Sequence, residues 1–364
     1  MHDAIVVGGG LVGAALAFGL QRCGLSTVML DEGDIAFRAA RGNFGLVWVQ
    51  GKGTDFPPYA QWTWTSAESW SALEAEIRDI TGNDIGYRRP GGIDICLDAQ
   101  ELEATRAKML RLAAHARHLQ YEMLDHAALA TFLPGLGPRV AGGCYSPADG
   151  HVNPLYLLRG LHQCLLARGG RIETGGRVNA IECRESTFRV DTARARYHGA
   201  RLVLAAGLGT ENLAAMIDMQ IPVHPERGQI LVTERLAPFL SMPVSRVRQT
   251  VEGSVQLGDS REDAGFDEGT RISVMSRIAA RAVRVFPHLA RARVVRAWGA
   301  LRVMTPDAYP IYAQSQSHPG AFVAVCHSGV TLAAAHALHL GAAIAEGALP
   351  DAVAPMSAGR FAHA

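Results

Sequence analysis

The chain opens with a short apolar run, Ala4 to Val7. Three glycines follow, and then apolar residues at helical spacing as far as about Cys23. A second apolar run ends at Asp31 in STVMLDEG, so the first thirty residues read as strand, turn, helix, strand. After the break at Pro57-Pro58 the spacing predicts a helix near Tyr59–Asp79. It predicts another over Ala99–His115, with Leu102, Met109, Leu110 and Leu112 on one side. Asn153-Pro154 supplies an N-cap and a first-turn proline for a helix that stops at Gly169-Gly170. Strand-like runs come next, RIET, RVNAIEC and TFRVDT, leading into the buried strand ARLVLAAGLG. Val223 to Ala297 is mixed, with strands QILVTE and SVQLG and a helix near Ser273–Phe286. A last strand, AFVAVC, feeds a long helix predicted over Thr331–Glu346.

Nucleotide-type segments therefore stand at the start, the middle and the end, with different material between them. That order predicts an α/β fold of two interleaved, discontinuous domains. Residues 1–80, 146–220 and 300–364 are expected to form a Rossmann-type unit. Residues 81–145 and 221–299 are expected to form an α+β substrate unit with an antiparallel sheet.

Composition narrows the function classes. Over 364 residues, 48% hydrophobic and 19% charged content is enough for a packed core. A formal net charge of +1 gives no field-driven attraction to nucleic acid or to an anionic membrane. The six cysteines are scattered without a CxxC pair, so no metal site or redox dithiol is predicted. The first strand begins by Ala4, which leaves no room for a secretory leader. Phe322 to Ile344 carries three histidines, an improbable membrane span. The expectation is a cytoplasmic protein without a membrane span.

Gly8 to Gly13 spells GxGxxG, and it lies between an apolar strand and a helix, which is the context that gives the motif meaning. Gly8 permits the tight turn, Gly10 lets backbone approach a pyrophosphate, and Gly13 lets helix pack on strand. The helix start, with Leu11 and Val12, presents free N–H groups to phosphate. Asp31, 18 residues after Gly13, is placed to accept from a ribose hydroxyl, and Glu32 beside it is a second candidate. The return of nucleotide-type segments at LVLAAGLG and at the C-terminus favours FAD over a nicotinamide cofactor.

Nearly the whole chain resembles the D-amino-acid-oxidase-like family of FAD oxidoreductases. The resemblance rests on AIVVGGGLVG with Asp31, RGNFG (41–45), RRPGGIDI (88–95), DGHVNP (149–154), LVLAAG (202–207), PERGQ (225–229), WGALRVMTPDAYPIY (298–312) and CHSGVTLA (326–333). GNFGLVWVQGKG and CHSGVTLAAAHA look most similar to the flavin subunits of opine and D-hydroxyproline dehydrogenases, relatives of glycine oxidase. The resemblance implies that Gly8, Gly10 and Gly13 hold the pyrophosphate and Asp31 the ribose. It places Arg41, Gly42, Asn43 and Gly45 along the path to the flavin, and Val178 at the adenine edge. Ala206 and Gly207 pass close to the cofactor, and His327, Ser328, Gly329, Val330 and Thr331 lie near its ring. Sarcosine-oxidase-like members link flavin to a cysteine seven residues before the TPD aspartate. Here that position is Ala300, and no histidine lies between Asp3 and His115, so FAD is expected to be non-covalent. The lysine such members use to speed reaction with oxygen is replaced by Gln256, which favours a dehydrogenase over an oxidase.

Arg302 stands four residues after Trp298. The resemblance makes it the ligand of the substrate carboxylate, and a guanidinium offers the planar fork that role needs. A structural ion pair is the other reading, because a buried arginine demands a partner. Trp48 and Gln50 are candidates for the pocket lining and Tyr309 for a hydrogen bond to substrate; otherwise they are core. His327 is read as either ring-facing or structural. The predicted reaction is hydride transfer to flavin N5 from the carbon bearing the amine of a small amino or imino acid, giving an imine. Candidate substrates are cis-4-hydroxy-D-proline, another D-amino acid and an opine. The alternatives are a glycine, sarcosine or D-amino acid oxidase using oxygen, or a non-catalytic FAD electron-transfer subunit. The resemblance also implies sister subunits carrying FMN, FAD or iron–sulfur centres, or a homo-oligomer. The chain's scattered cysteines offer no cluster site of their own.

Overall fold

The structure is a computed structural model that describes residues 1–33 and 39–362. Its largest sheet is centred on the opening strand His2–Val7, which lies parallel to Thr27–Asp31 on one side and to Arg196–Leu204 on the other. Arg171–Thr174 extends the sheet beyond Thr27–Asp31. Ala321–Val325 and then the antiparallel Ile311–Gln314 extend it beyond Arg196–Leu204. Val178–Arg184 and Thr187–Thr192 fold as a hairpin onto Arg196–Leu204.

The central strands are continuous apolar runs because both faces are covered. Ala4, Val6, Met29 and Val203 face the helices Leu11–Arg22, Pro57–Thr81 and Pro154–Ala167 and the C-terminal helical run. Ile5, Val7, Val28, Leu30, Leu202 and Leu204 face a second apolar layer with Phe188, Leu213 and Ile217. Asn153 caps its helix as its sequence predicts, accepting from the backbone N–H of Leu155 (3.1 Å) and of Tyr156 (3.2 Å).

Two antiparallel sheets hold the remaining strands. One runs Val247–Gln249, Ser254–Leu257, His224–Arg235, Val294–Met304, and the other is built from Gly92–Cys96, Gly142–Ser146 and Glu122–Asp125. A bridge between Ile93 and Val244 joins them, and the helix Ile272–Val285 shares their core. The strand Val294–Met304 runs through the expected boundary at 299/300 without a break.

The C-terminal helix differs from the sequence expectation. Instead of one α-helix over Thr331–Glu346, a turn precedes Ala333–Ala335, a π-helical stretch covers His336–Leu340, and α-geometry resumes over Gly341–Glu346. A side chain inserted into the hydrogen-bond ladder accounts for the irregular start. Ser66 Oγ donates to the Thr331 carbonyl (2.7 Å) and accepts from the Ala335 N–H (3.1 Å), the pair that an α-helix would join directly. Trp70 Nε1 also donates to Thr331 O, at 3.0 Å. Further along, this run crosses the first helix so closely that a Cβ on Gly19 would stand 2.5 Å from the Ala337 carbonyl oxygen. Gly19→Ala is therefore expected to cost about 1–3 kcal/mol, the usual range for overpacking, read as a lowered midpoint of thermal unfolding.

The segment after Leu46–Val47 is pinned from below by Asp149, which is fully buried. Its carboxylate accepts from the Val49 N–H and from Gln50 Nε2, both at 2.6 Å. Burial raises Asp149 to about 7 in spite of these donors. The folded value lies above the unfolded one, so the protonated form favours folding; that contribution is present below about pH 4 and lost as pH rises through 7. Asp149→Asn should therefore gain stability relative to the wild-type chain progressively from pH 4 to pH 7. Thermal midpoints measured across that range check this; parallel curves would refute it.

Candidate active site

A cleft of about 390 Å³ opens at the carboxyl ends of the parallel strands, where open α/β sheets bind ligands. Gly8, Gly9, Gly10, Leu11 and Val12 form its floor. Gly8 has φ +110°, and a Cβ there would lie 2.4 Å from the Ala205 carbonyl oxygen. A Cβ on Gly13 would lie 1.9 Å from Gly8 O, so Gly13 acts beneath the cleft by letting the helix close on the turn. Gly10 has open space where its Cβ would be, which is the cradle a phosphate needs. Asp31 stands on the wall, its two oxygens accepting from Gly9 N (2.7 Å) and Gly33 N (2.8 Å). Glu32 also lines the cleft and pairs with Arg177 at 3.5 Å.

Val178, Ala206, Gly207, Asn43, His327 and Gly329 complete the walls together with residues the sequence did not single out, among them Met216 and Val303. Phosphate cradle, acidic wall and apolar lining suit FAD. The pyrophosphate would lie on Gly8 to Val12, the ribose at Asp31 and the adenine near Val178.

Several expected contacts fall elsewhere. Arg41 is exposed at the end of the short helix Ala39–Gly42, and the cleft wall there is made by Ala39, Ala40 and Asn43. Gly42 is pressed against Ala300, where its own Cβ would stand 2.0 Å away. Gly45 packs on Val152 and Arg248. Val330 turns into the helical core. Thr331 Oγ1 accepts from the Trp48 N–H (3.2 Å) and donates to Leu46 O (3.3 Å), tying the two flavin-side segments to each other. Trp48 is buried against Gly92. Gln50 spends its amide on Gly92 O (3.1 Å) and Asp149. Tyr309 stacks on Phe56, centroids 4.8 Å apart. Trp48 and Gln50 are thus taken up by buried packing and internal hydrogen bonds, while Tyr309 is part-exposed.

Arg302 is not a free fork. It donates to Glu226 (3.1 Å), to Asp259 (2.5 Å) and to the Ser260 carbonyl (2.8 Å). These partners come from the neighbouring strand and from the loop beyond Leu257, both remote in sequence. Two acids already hold the guanidinium, as the alternative sequence reading requires.

The residues around His327 form the most charged part of the site. Burial holds His327 far below its usual range, and the charges of Lys52, Arg302 and Arg261 add to the effect, so the imidazole is neutral. Ser328 Oγ accepts from Lys52 Nζ and from Tyr59 Oη, both at 2.8 Å. Lys52 Nζ lies 3.4 Å from His327 Nε2. Burial lowers Lys52 to about 8 and raises the Cys326 thiol to about 12, so the thiol stays protonated and the amine is easily neutralised. Gln256, at the position expected to hold an oxidase lysine, accepts from Arg248 Nε (3.1 Å) and Nη2 (2.8 Å). Arg248 is 3% exposed and among the described residues has no carboxylate within ion-pair distance.

Lys52 and Asp149 lie within GNFGLVWVQGKG and DGHVNP but carry no predicted role there, and Tyr59 and Arg248 belong to no motif that sequence reasoning picks out. For Lys52 a signal does exist: of 35 lysines and arginines in the chain, only Lys52 and Lys108 are lysines. Among the described residues, no group of three or more His, Cys, Asp or Glu is placed to hold a metal. No helix there is long and apolar enough to cross a membrane.

Residues 3–343 match the family described as FAD dependent oxidoreductase (DAO). The chain is 41% identical to an opine oxidase subunit of Rhizobium meliloti, over 99% of this chain and 97% of that protein. It is likewise 41% identical to the corresponding opine oxidase subunit of Agrobacterium tumefaciens, with the same coverage. The crystal structure of glycine oxidase from Geobacillus kaustophilus superposes with a TM-score of 0.87 at 23% identity, covering 98% of each chain, which extends the likeness to the fold. A glycine-cradled cleft, an acidic wall and a near full-length family match agree: the chain belongs to the DAO family of FAD-dependent oxidoreductases.

Proposed function

We propose that this protein is the amine-oxidising flavin subunit of an opine dehydrogenase. Its substrate is a secondary amine that joins an amino acid to an oxo-acid carbon and so carries two carboxylates. One observation carries the reading. The positive charges of Lys52, Arg302 and Arg261 bear on the same neutral His327 at the edge of the cofactor cleft. Arg302, once Asp259 is exchanged, and Arg261, which among the described residues has no carboxylate within ion-pair distance, suit a dianionic substrate better than proline, glycine or sarcosine, each with one carboxylate. The 41% identity to two opine oxidase subunits supports the same choice.

Residues 1–80, 146–220 and 300–364 would carry FAD non-covalently, and the sheets from 81–145 and 221–299 would cover the substrate. Bound FAD supplies the two-electron acceptor for the hydride leaving the carbon beside nitrogen. The chain's own residues bind and aim. Arg302 takes a substrate carboxylate by exchange with Asp259, its more exposed partner, while Glu226 stays in place. That both opine oxidase relatives are subunits supports a partner that passes electrons onward, and Gln256 in place of lysine is consistent with slow reaction with oxygen.

Mixing the yellow protein anaerobically with an opine, cis-4-hydroxy-D-proline, D-proline, glycine and sarcosine tests the substrate class. The expected outcome is bleaching of the visible flavin band by the opine alone, with slow recovery in air and fast recovery with a dye. Bleaching by a monocarboxylate imino acid instead would replace the opine reading.

The exchange at Arg302 is tested by Asp259→Asn. Freed of its competitor, Arg302 should bind substrate more tightly, with KM lowered about threefold to tenfold, whereas Arg302→Met should raise KM by on the order of a hundredfold. An unchanged KM in both variants would leave Arg302 as a purely internal ion pair.

A further inference from the structure

Lysine is rare in this chain, and the two examples are used differently. Lys108 is held by Asp94 at 2.9 Å. Lys52 is part-buried, and among the described residues no carboxylate lies within ion-pair distance of it. Its neighbours are a hydroxyl and an imidazole, Ser328 at 2.8 Å and His327 at 3.4 Å, in the turn whose His327 and Gly329 line the cofactor cleft. Arginine serves as the cation almost everywhere else, including two buried positions, Arg227 and Arg248. An arginine at position 52 would carry the same charge but could not give up its proton. What distinguishes lysine is that its amine can exist neutral.

From this placement we propose that Lys52 is the base that removes the proton from the bound substrate's ammonium. The inference rests on the amine-oxidising reading above, but not on which amine is used. A protonated amine, primary or secondary, has no lone pair to form a C=N bond. The proton moves from the substrate nitrogen to Lys52 Nζ, leaving a neutral amine and an ammonium on Lys52. With FAD bound to accept the hydride, the freed nitrogen lone pair would be available for the C=N bond. Lys52 resets by releasing its proton to solvent once the imine has left. Ser328 Oγ accepts from Lys52 and from Tyr59, and its own proton is left to donate to His327 Nε2 at 3.3 Å.

The groups that set the proton affinity of Lys52 face it from several elements. Arg302 from the strand Val294–Met304 and Arg261 from the loop beyond Leu257 oppose its charge, while Asp149 and Cys326 favour it. Tyr59 approaches through Ser328, and Lys108 lies against Gly51 with its charge met by Asp94. Burial is the largest influence and brings Lys52 to about 8, the right range for a base working near neutral pH.

Two measurements test the assignment. The first needs no substrate. With only two lysines, the holoprotein labelled with 13C at lysine Cε gives two resonances, and Lys108→Met assigns them. Lys52 is expected to titrate near pH 8. A Lys52 signal that stays fully charged past pH 10 would overturn the proposal.

The second measurement is the rate of anaerobic flavin reduction from pH 6 to pH 10, with whichever amine bleaches the wild-type protein. The wild-type rate should fall about tenfold per unit below the Lys52 midpoint. Lys52→Met should be slower by about 10²–10⁴ at pH 7 and should recover as pH rises. Lys52→Arg should behave like Lys52→Met, because charge alone does not restore a base. If Lys52→Arg works like the wild-type protein, Lys52 is a carboxylate ligand and the proposal fails. Wild-type rates in both variants would also sink it. The flavin spectrum of each variant reports whether the cleft is intact, and the titration of the unsubstituted protein stands if a variant does not fold.

Discussion

The whole site depends on how closely backbone can approach backbone at the end of the opening strand. Gly8 lies almost against Ala205, and Gly13 lies almost against Gly8, at distances that no side chain would allow. That contact puts the N-terminus of the first helix at the mouth of the sheet and sets Ala206 and Gly207 opposite it. Gly10 is left free to face a ligand. The remaining walls are then a matter of which segments reach the same place: Asp31 from the next strand, Val178 from the hairpin, and His327 with Gly329 from the last crossover. The physical chemistry is steric first and electrostatic second. A pyrophosphate can use the helix N-terminus only because the backbone there has been stripped of side chains.

What can be read from the sequence follows from the range of the interactions involved. Strands buried on both faces announce themselves as apolar runs, and Asn153-Pro154 marks its helix by a cap that acts over two or three residues. Gly8 to Gly13 with Asp31 spans fewer than thirty residues and carries its own context. The cofactor half of the site is therefore legible residue by residue. The substrate half is not. Lys52 meets Ser328 across 276 residues, Thr331 meets Trp48 across 283, and the acids that hold Arg302 lie 76 and 43 residues away. No local pattern encodes such pairings. Trp48 and Gln50 have the chemistry of pocket groups, but both are buried, and Gln50 spends its amide nitrogen on the Gly92 carbonyl and on Asp149. The C-terminal helix misleads in a similar way. Its alanine-rich sequence favours a regular α-helix, but Ser66 and Trp70, from a distant helix, take the bonds of its first turn.

The charged groups divide into two kinds. Arg302, Arg227 and Arg281 carry carboxylates from other elements and act as ties between strands, helices and loops. Lys52 and Arg248 have only neutral partners within hydrogen-bonding distance among the described residues. A cation with neutral partners in a partly dry site is held there at a cost in desolvation, and both examples lie beside segments that the family resemblance places along the flavin. Asp149 is the mirror case, a buried acid whose donors are a backbone amide and a side-chain amide.

Early and late portions of the chain meet in one place, which bears on how the protein is made. Gly8 to Val12 leave the ribosome long before Cys326, His327 and Gly329, and the strand Ala321–Val325 must still add to the sheet beside Arg196–Leu204. A nascent chain therefore has a phosphate turn but no enclosed cleft. Closure of the cleft waits for that last crossover, and a chain truncated before residue 321 would be made without the wall that Ala324 to Gly329 contribute.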